Sequence, residues 1–132
     1  MRYLGIDYGT KRVGVALSDE AGTMGFPHAV FPNDKQLLPA ALALIREKNV
    51  GGVVIGASLT LAGEKNPVAH AAESLGEALR AAGVPVFFES EWLTTQEARR
   101  APEGERMHKN EMTDASAAAL ILTSFLSHHD NH

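Results

Sequence analysis

Apolar and polar positions alternate at the start of this chain in a pattern typical of β-strands. Residues 3–6 and 13–17 are short apolar runs, and the polar segment Gly9–Arg12 between them is typical of a hairpin connection. A third apolar run, residues 24–31, contains Pro27, which cannot donate a hydrogen bond within a sheet and therefore indicates an edge strand. We expect three antiparallel strands at the start of the chain.

The rest of the chain alternates helical and strand-like patterns. Apolar residues recur at helical spacing from Leu37 to about Lys48, after an N-cap at Asn33 or Asp34, and again from Pro67 to Gly83. Continuous apolar runs at 50–55 and 84–88 are typical of parallel strands that are covered on both faces.

After these strands we expect a short helix over 94–100, a polar loop over 101–110 and an alanine-rich helix over 113–126. Three antiparallel strands followed by this alternation predict an α/β fold. Its sheet would be five-stranded and mixed, with the first three strands antiparallel and helices on both faces.

Length and composition set limits on the kind of protein. The 132 residues fit one domain, which we place at 1–127, followed by a flexible His-rich tail at 128–132. The absence of cysteine excludes disulfides and thiolate metal sites. No apolar stretch reaches the roughly 18 residues of a membrane span, and no signal peptide is evident, so we expect a cytoplasmic protein without a membrane partner.

The net charge of −4 disfavours binding of nucleic acid by bulk electrostatics, so any polyanion must meet a local basic patch. One such patch lies in residues 99–109, and a second pair of cations follows the first strand. Their members are Arg99, Arg100, Arg106 and Lys109, and Lys11 and Arg12. They are either phosphate contacts or ordinary solvated charges.

Asp7 is a carboxylate within an apolar strand, where an unpaired charge costs several kcal/mol. A divalent metal would neutralise it, and a basic partner is the alternative. Carboxyl ends of strands gather at one sheet edge, so Glu89, Glu91 and Asp114 are expected near it. Carboxylates without His or Cys suit Mg²⁺ or Mn²⁺, and two such ions suit phosphoryl transfer.

Four segments together resemble the YqgF (RuvX) family over nearly the whole chain. They are Gly5-Ile6-Asp7-Tyr8-Gly9-Thr10-Lys11-Arg12-Val13-Gly14, Val53-Val54-Ile55-Gly56, Glu91-Trp92-Leu93-Thr94-Thr95, and Asp114-Ala115-Ser116-Ala117. The resemblance implies an RNase H-like fold related to the RuvC Holliday junction resolvases, and nucleases that process pre-16S ribosomal RNA. It also implies that Asp7, Glu91 and Asp114 are the catalytic, metal-binding acids.

The chain departs from the family pattern beside the proposed acids. Ser90 and Trp92 stand where the family has an acid and an arginine, and Ala117 stands where RuvC-type resolvases carry a fourth acid. The missing fourth acid favours nuclease chemistry over junction resolution, whereas the changes at Ser90 and Trp92 concern substrate positioning more than metal binding. Trp92 is either a core aromatic or a platform that stacks on an unpaired base, and Thr94 and Thr95 join it as candidate nucleic-acid contacts.

The leading hypothesis is a metal-dependent nuclease that acts on RNA, with pre-16S rRNA or a ribosomal precursor particle as its target. The alternatives are an endonuclease of structured DNA and a catalytically weak nucleic-acid-binding assembly factor. The segment Gly5–Thr10 also resembles the first phosphate loop of actin-like and sugar-kinase ATPases, but those enzymes hold ATP between two lobes. Asp19 lies in a predicted turn, where Asp is favoured for local reasons.

Overall fold

The computed structural model describes residues 1–57, 67–90 and 114–129. The strands and helices in these ranges follow the predicted order, with three strands before the first helix. They are β1 (Arg2–Tyr8), β2 (Arg12–Ser18), β3 (Gly25–Pro32), α1 (Leu37–Glu47), β4 (Val50–Ala57), α2 (Pro67–Ala81), β5 (Val86–Ser90) and α3 (Asp114–His129). The last helix extends two residues beyond the predicted domain boundary at 127.

The strands form one mixed sheet in the order β3-β2-β1-β4-β5. β1 pairs antiparallel with β2, and β2 pairs antiparallel with β3. On its other side, β1 pairs parallel with β4, which pairs parallel with β5. The predicted sheet is therefore confirmed, including the edge position of β3, where Pro27 lies.

Helices cover both faces of the sheet because side chains alternate along the strands. Leu4 and Ile6 belong to a buried core that also includes residues of α1 and α2. Tyr3 belongs to a second core with α3, in which the ring centroids of Tyr3 and Phe125 are 5.9 Å apart and those of Phe87 and Phe125 are 5.2 Å apart. Consecutive residues of β1 thus contribute to opposite cores.

The predicted N-cap of α1 is wrong. The N-cap residue is Gln36, which makes no side-chain cap hydrogen bond, and the carboxylate of Asp34 accepts a hydrogen bond of 2.9 Å from the Gln36 N–H. The Asn33 side chain instead bonds to the connection between β1 and β2. Asn33, which the local pattern predicts as a helix cap, therefore makes a long-range contact instead.

No helix within the described ranges is long and apolar enough to cross a membrane. The predicted helix over 94–100 and the predicted loop over 101–110 lie outside the described residues.

Candidate functional site

Asp7 lies near the carboxyl end of β1, on the face of the sheet that α3 covers. Its side chain is partly exposed. Its partners across the sheet are Gly14 on β2 and Gly56 on β4. The two positions directly opposite Asp7 in the sheet are therefore glycines, and Arg12 lies on the same face of β2, two residues before Gly14.

Helix α3 runs antiparallel to β1, with its N-terminal end toward Asp7. Tyr3, near the start of β1, contacts Phe125. Two residues further along the strand, a Cβ built on Gly5 would lie 2.8 Å from the Leu122 Cβ and 3.0 Å from the Ala118 carbonyl oxygen. Residues nearer the carboxyl end of β1 therefore lie nearer the N-terminus of α3, whose first residue is Asp114.

Glycines on three strands allow α3 to lie close to the sheet. Besides Gly5, a Cβ on Gly25 of β3 would lie 2.9 Å from the Ala119 carbonyl oxygen, and one on Gly56 would lie 2.6 Å from the Ile121 Cδ1. Real Cβ atoms essentially never approach other atoms so closely, so a side chain at Gly5 or Gly25 would displace the helix backbone, and one at Gly56 would displace the Ile121 side chain. These glycines therefore help set the height of the Asp114 backbone above the sheet.

The helix N-terminus gives this end of the sheet a favourable electrostatic setting for carboxylates. The aligned peptide dipoles of a helix place partial positive charge at its N-terminus, which stabilises negatively charged groups there. Asp114 is the first residue of α3, and the structure describes its backbone. The same end of the sheet carries Asp7, so two of the three predicted acids lie on elements that converge.

Glu89 shares a row of the sheet with Asp7. Gly56 pairs with both residues, so the two Cα atoms are separated by two strand spacings, or about 10 Å. Ile121 packs over Gly56 in the middle of this row. The Glu89 carboxylate accepts a hydrogen bond of 3.0 Å from the Ser124 hydroxyl, one turn further along α3.

This contact gives Glu89 a structural role, which is to anchor α3 to β5. The sequence pattern places Glu89 near Asp7 but misses its partner, because Ser124 is 35 residues distant and carries no local signal.

The connection between β1 and β2 begins two residues after Asp7; exposed Lys11 ends it, and exposed Arg12 begins β2. The connection is tight, since a Cβ on Gly9 would lie 2.6 Å from the Arg12 carbonyl oxygen. Asn33, at the end of β3, donates from Nδ2 to the Gly9 carbonyl at 2.7 Å. Sequence reasoning missed this contact because asparagine before a helix is equally typical of a cap.

Asp19 closes the turn between β2 and β3, at the opposite end of the sheet from Asp7. Its carboxylate accepts hydrogen bonds from the Thr23 hydroxyl at 2.5 Å, the Thr23 N–H at 2.7 Å and the Met24 N–H at 3.2 Å. These bonds, first of all those from Thr23, lower the pKa of Asp19 to about 2. The predicted local role of this residue is confirmed.

The remaining predicted site residues lie outside the described residues. They are Glu91, Trp92, Thr94, Thr95, Arg99, Arg100, Arg106 and Lys109. Within the described ranges, no group of three or more His, Cys, Asp or Glu residues is arranged to hold a metal ion.

The sheet order and the helix that crosses it define a fold shared with Holliday junction resolvases. The chain superposes on RuvC of Thermus thermophilus, solved with a Holliday junction substrate, with a TM-score of 0.63 and 17% identity over 99% of this chain and 96% of that one. It superposes on the fowlpox virus resolvase with a TM-score of 0.57 and 11% identity over 96% and 97% of the two chains. The RNase H-like α/β class predicted above is confirmed.

Sequence comparison then identifies the family. The model of the RuvX family, described as Holliday junction resolvase, matches residues 1–128, so the chain belongs to that family. A relative from Oleidesulfovibrio alaskensis, named "Putative pre-16S rRNA nuclease", is 35% identical over 96% of this chain and 92% of its own length. A relative of the same name from Opitutus terrae is 36% identical over 96% and 91%.

Proposed function

We propose that this protein is a metal-dependent nuclease that hydrolyses phosphodiester bonds of RNA during maturation of pre-16S rRNA. The observation that carries the proposal is the position of Asp7, between two glycines and at the end of the sheet toward which the N-terminus of α3 points. Membership of the RuvX family and the names of its relatives support the RNA substrate. A precursor ribosomal particle in the cytoplasm is the corresponding target.

The residues at this site fit a divalent metal. Asp7, Glu91 and Asp114 offer only carboxylate oxygens, which are the ligands that Mg²⁺ and Mn²⁺ prefer. Asp7 is partly exposed near the carboxyl end of β1, so its carboxylate is accessible to an ion from solvent. We therefore assign these three acids as the catalytic and metal-binding residues, with two bound ions.

Each part of the chain has a distinct task in this mechanism. Bound ions would supply Lewis-acid activation of water and stabilisation of the leaving oxygen. The sheet holds the Asp7 carboxylate in place, and the N-terminal end of α3, where Asp114 lies, contributes partial positive charge. Exposed Lys11 and Arg12 lie at the same end of the sheet, where they would bind phosphates of the substrate.

Further contacts are assigned to the segment that follows Glu91. Trp92 would stack on an unpaired base, and Thr94 and Thr95 would bond to the sugar-phosphate backbone. The basic residues of this segment would hold phosphates, and they are Arg99, Arg100, Arg106 and Lys109. Local cations are required because the whole chain is acidic, with a net charge of −4.

Cleavage of structured DNA is the second candidate function, favoured by the structural likeness to resolvases. One feature of the chain weighs against it. Ala117, one helical turn after Asp114, carries a methyl group where the resemblance to RuvC-type resolvases leads us to expect a fourth acid. RNA hydrolysis is therefore the preferred function.

A cleavage panel tests the proposal. Labelled single-stranded RNA, duplex RNA, an RNA that carries the ends of pre-16S rRNA, and a four-way DNA junction are incubated with Mg²⁺ and with Mn²⁺. We expect cleavage of RNA by the wild type, and none by Asp7→Asn. Cleavage of the junction alone would establish the DNA function, and binding without cleavage would establish an assembly factor.

A further inference from the structure

The connection between β1 and β2 is short, exposed and adjacent to the proposed catalytic site. It consists of Gly9, Thr10 and Lys11, and the side chains of Thr10 and Lys11 are exposed. A hydroxyl and an ammonium group therefore lie within four residues of Asp7 in sequence. Exposed connections of this kind are ordinarily among the more mobile parts of a protein.

Asn33 makes two hydrogen bonds to this connection and a third to Tyr8 of β1. Its Nδ2 donates to the Gly9 carbonyl at 2.7 Å, and its backbone N–H donates to the Lys11 carbonyl at 3.0 Å. Its Oδ1 accepts a bond of 3.4 Å from the hydroxyl of Tyr8, whose side chain is buried in the core. The carbonyls on both sides of Thr10 are thus tied to one residue, which is itself tied to the core.

We propose that Asn33 is a positioning residue that presents Thr10 and Lys11 to the phosphate backbone of a nucleic acid bound at Asp7. This inference rests on the proposed function, because it requires a nucleic acid at that site. A loop that is already ordered loses less conformational entropy when it binds a ligand, so its contacts contribute more to affinity. Asn33 thereby strengthens binding without touching the substrate.

The chemistry of the connection points to backbone contacts rather than to base recognition. Lys11 offers a compact positive charge, and Thr10 offers a single hydroxyl, both of which are common phosphate contacts. An ordered cation of this kind acts on every nucleic acid sequence alike, and its contribution weakens as the salt concentration rises. The salt dependence of binding is therefore the property that reveals whether Lys11 is correctly placed.

A double-mutant cycle tests the inference with single-stranded RNA in EDTA, so that binding is measured without cleavage. The variants are Asn33→Ala, Lys11→Gln and the double variant. We expect each single variant to weaken binding by roughly 3- to 10-fold, and the double variant to bind about as weakly as the weaker single variant. We also expect Asn33→Ala to lower the salt slope nearly as much as Lys11→Gln, by about 0.7 units, although it removes no charge.

Asn49→Ala is the matched control. Asn49 is an exposed asparagine between α1 and β4. Its φ of 54° lies in the left-handed region, which alanine adopts less readily than asparagine. We expect it to destabilise the protein without changing the salt slope. If Asn33→Ala does not fold, Asn33→Ser serves in its place, since it stays polar, keeps the backbone bond to Lys11 and adds no charge.

Three outcomes would overturn the inference. Additive effects in the cycle, an unchanged salt slope in Asn33→Ala, or unchanged binding in Lys11→Gln would each show that Asn33 does not place a phosphate contact. Failure of the proposed function looks different, because coupled effects on binding would then occur in a protein that cleaves none of the nucleic acids in the panel.

Discussion

The Ser124 hydroxyl donates a hydrogen bond of 3.0 Å to the Glu89 carboxylate, which links α3 to the edge strand β5. Few other contacts of α3 reach this side of the sheet, since its core packing is mainly against β1, β2 and β3. Hydrogen bonds to charged groups contribute about 1.5–3 kcal/mol when they are well shielded, and this one is only partly buried.

We therefore expect Ser124→Ala to lower the free energy of unfolding by about 1–2 kcal/mol, measured by urea denaturation. Ser127→Ala is the control, because Ser127 is exposed and its hydroxyl donates a hydrogen bond to the Ser124 carbonyl of the same helix. Glu89→Gln keeps an oxygen acceptor and should retain nuclease activity. Loss of activity in Glu89→Gln at normal stability would return Glu89 to the list of catalytic acids.

The close approach of α3 to β1 predicts a large effect of a single methyl group at Gly5. In Gly5→Ala the new Cβ would lie 2.8 Å from the Leu122 Cβ and 3.0 Å from a backbone carbonyl, so the helix must move away. We expect a loss of about 1–3 kcal/mol in stability. Activity should fall further than stability explains, because the displaced helix carries Asp114.

Gly51→Ala is the matched control for Gly5→Ala. The three atoms nearest to its new Cβ all belong to the side chain of Met1, which is 58% exposed and can move aside. Stability and activity near those of the wild type are expected. Equal losses of stability in the two variants would show that the close approach of α3 to Gly5 is not what makes Gly5→Ala destabilising.

How far the sequence predicts this protein depends on whether a feature is local. The strand pattern predicts the sheet, and the position of Asp7 within an apolar strand identifies it as a candidate site residue. The approach of α3 joins Gly5 to Leu122, residues so far apart in sequence that neither indicates the other. Asn33 illustrates a conflict, because local rules favour a helix cap whereas the available carbonyls of the neighbouring connection determine where it bonds.

Asp7→Asn should leave the protein folded, with unchanged or raised stability. Removing one charge relieves repulsion among the proposed acids, Asp7, Glu91 and Asp114. The variant should also lose metal binding, so Mg²⁺ or Mn²⁺ should raise the Tm of the wild type more than that of the variant. Thermal denaturation with and without each ion measures this difference, and equal shifts in both proteins would contradict the role of Asp7 as a metal ligand.

Asp19 predicts a specific dependence of stability on pH. Its pKa is lowered from 3.8 to about 2 by the hydrogen bonds from Thr23 and Met24, so its charged form is favoured in the folded state. The stabilisation is fully present above pH 4 and is lost as the pH falls toward 2. The difference in Tm between the wild type and Asp19→Asn should therefore be constant above pH 4 and shrink below it. A difference that does not change between pH 5 and pH 2 would contradict this account.

Trp92 provides a spectroscopic test of the substrate, because it is the only tryptophan in the chain and directly follows the proposed catalytic Glu91. An indole beside the site would stack on an unpaired base and contribute about 1–3 kcal/mol to binding. Tryptophan fluorescence should then change when single-stranded RNA is added, and Trp92→Ala should lose affinity for single strands more than for duplex RNA. Trp92→Phe is the control that keeps an aromatic face and should retain most of the preference. A loss of several kcal/mol in stability with unchanged RNA affinity would instead place Trp92 in the core.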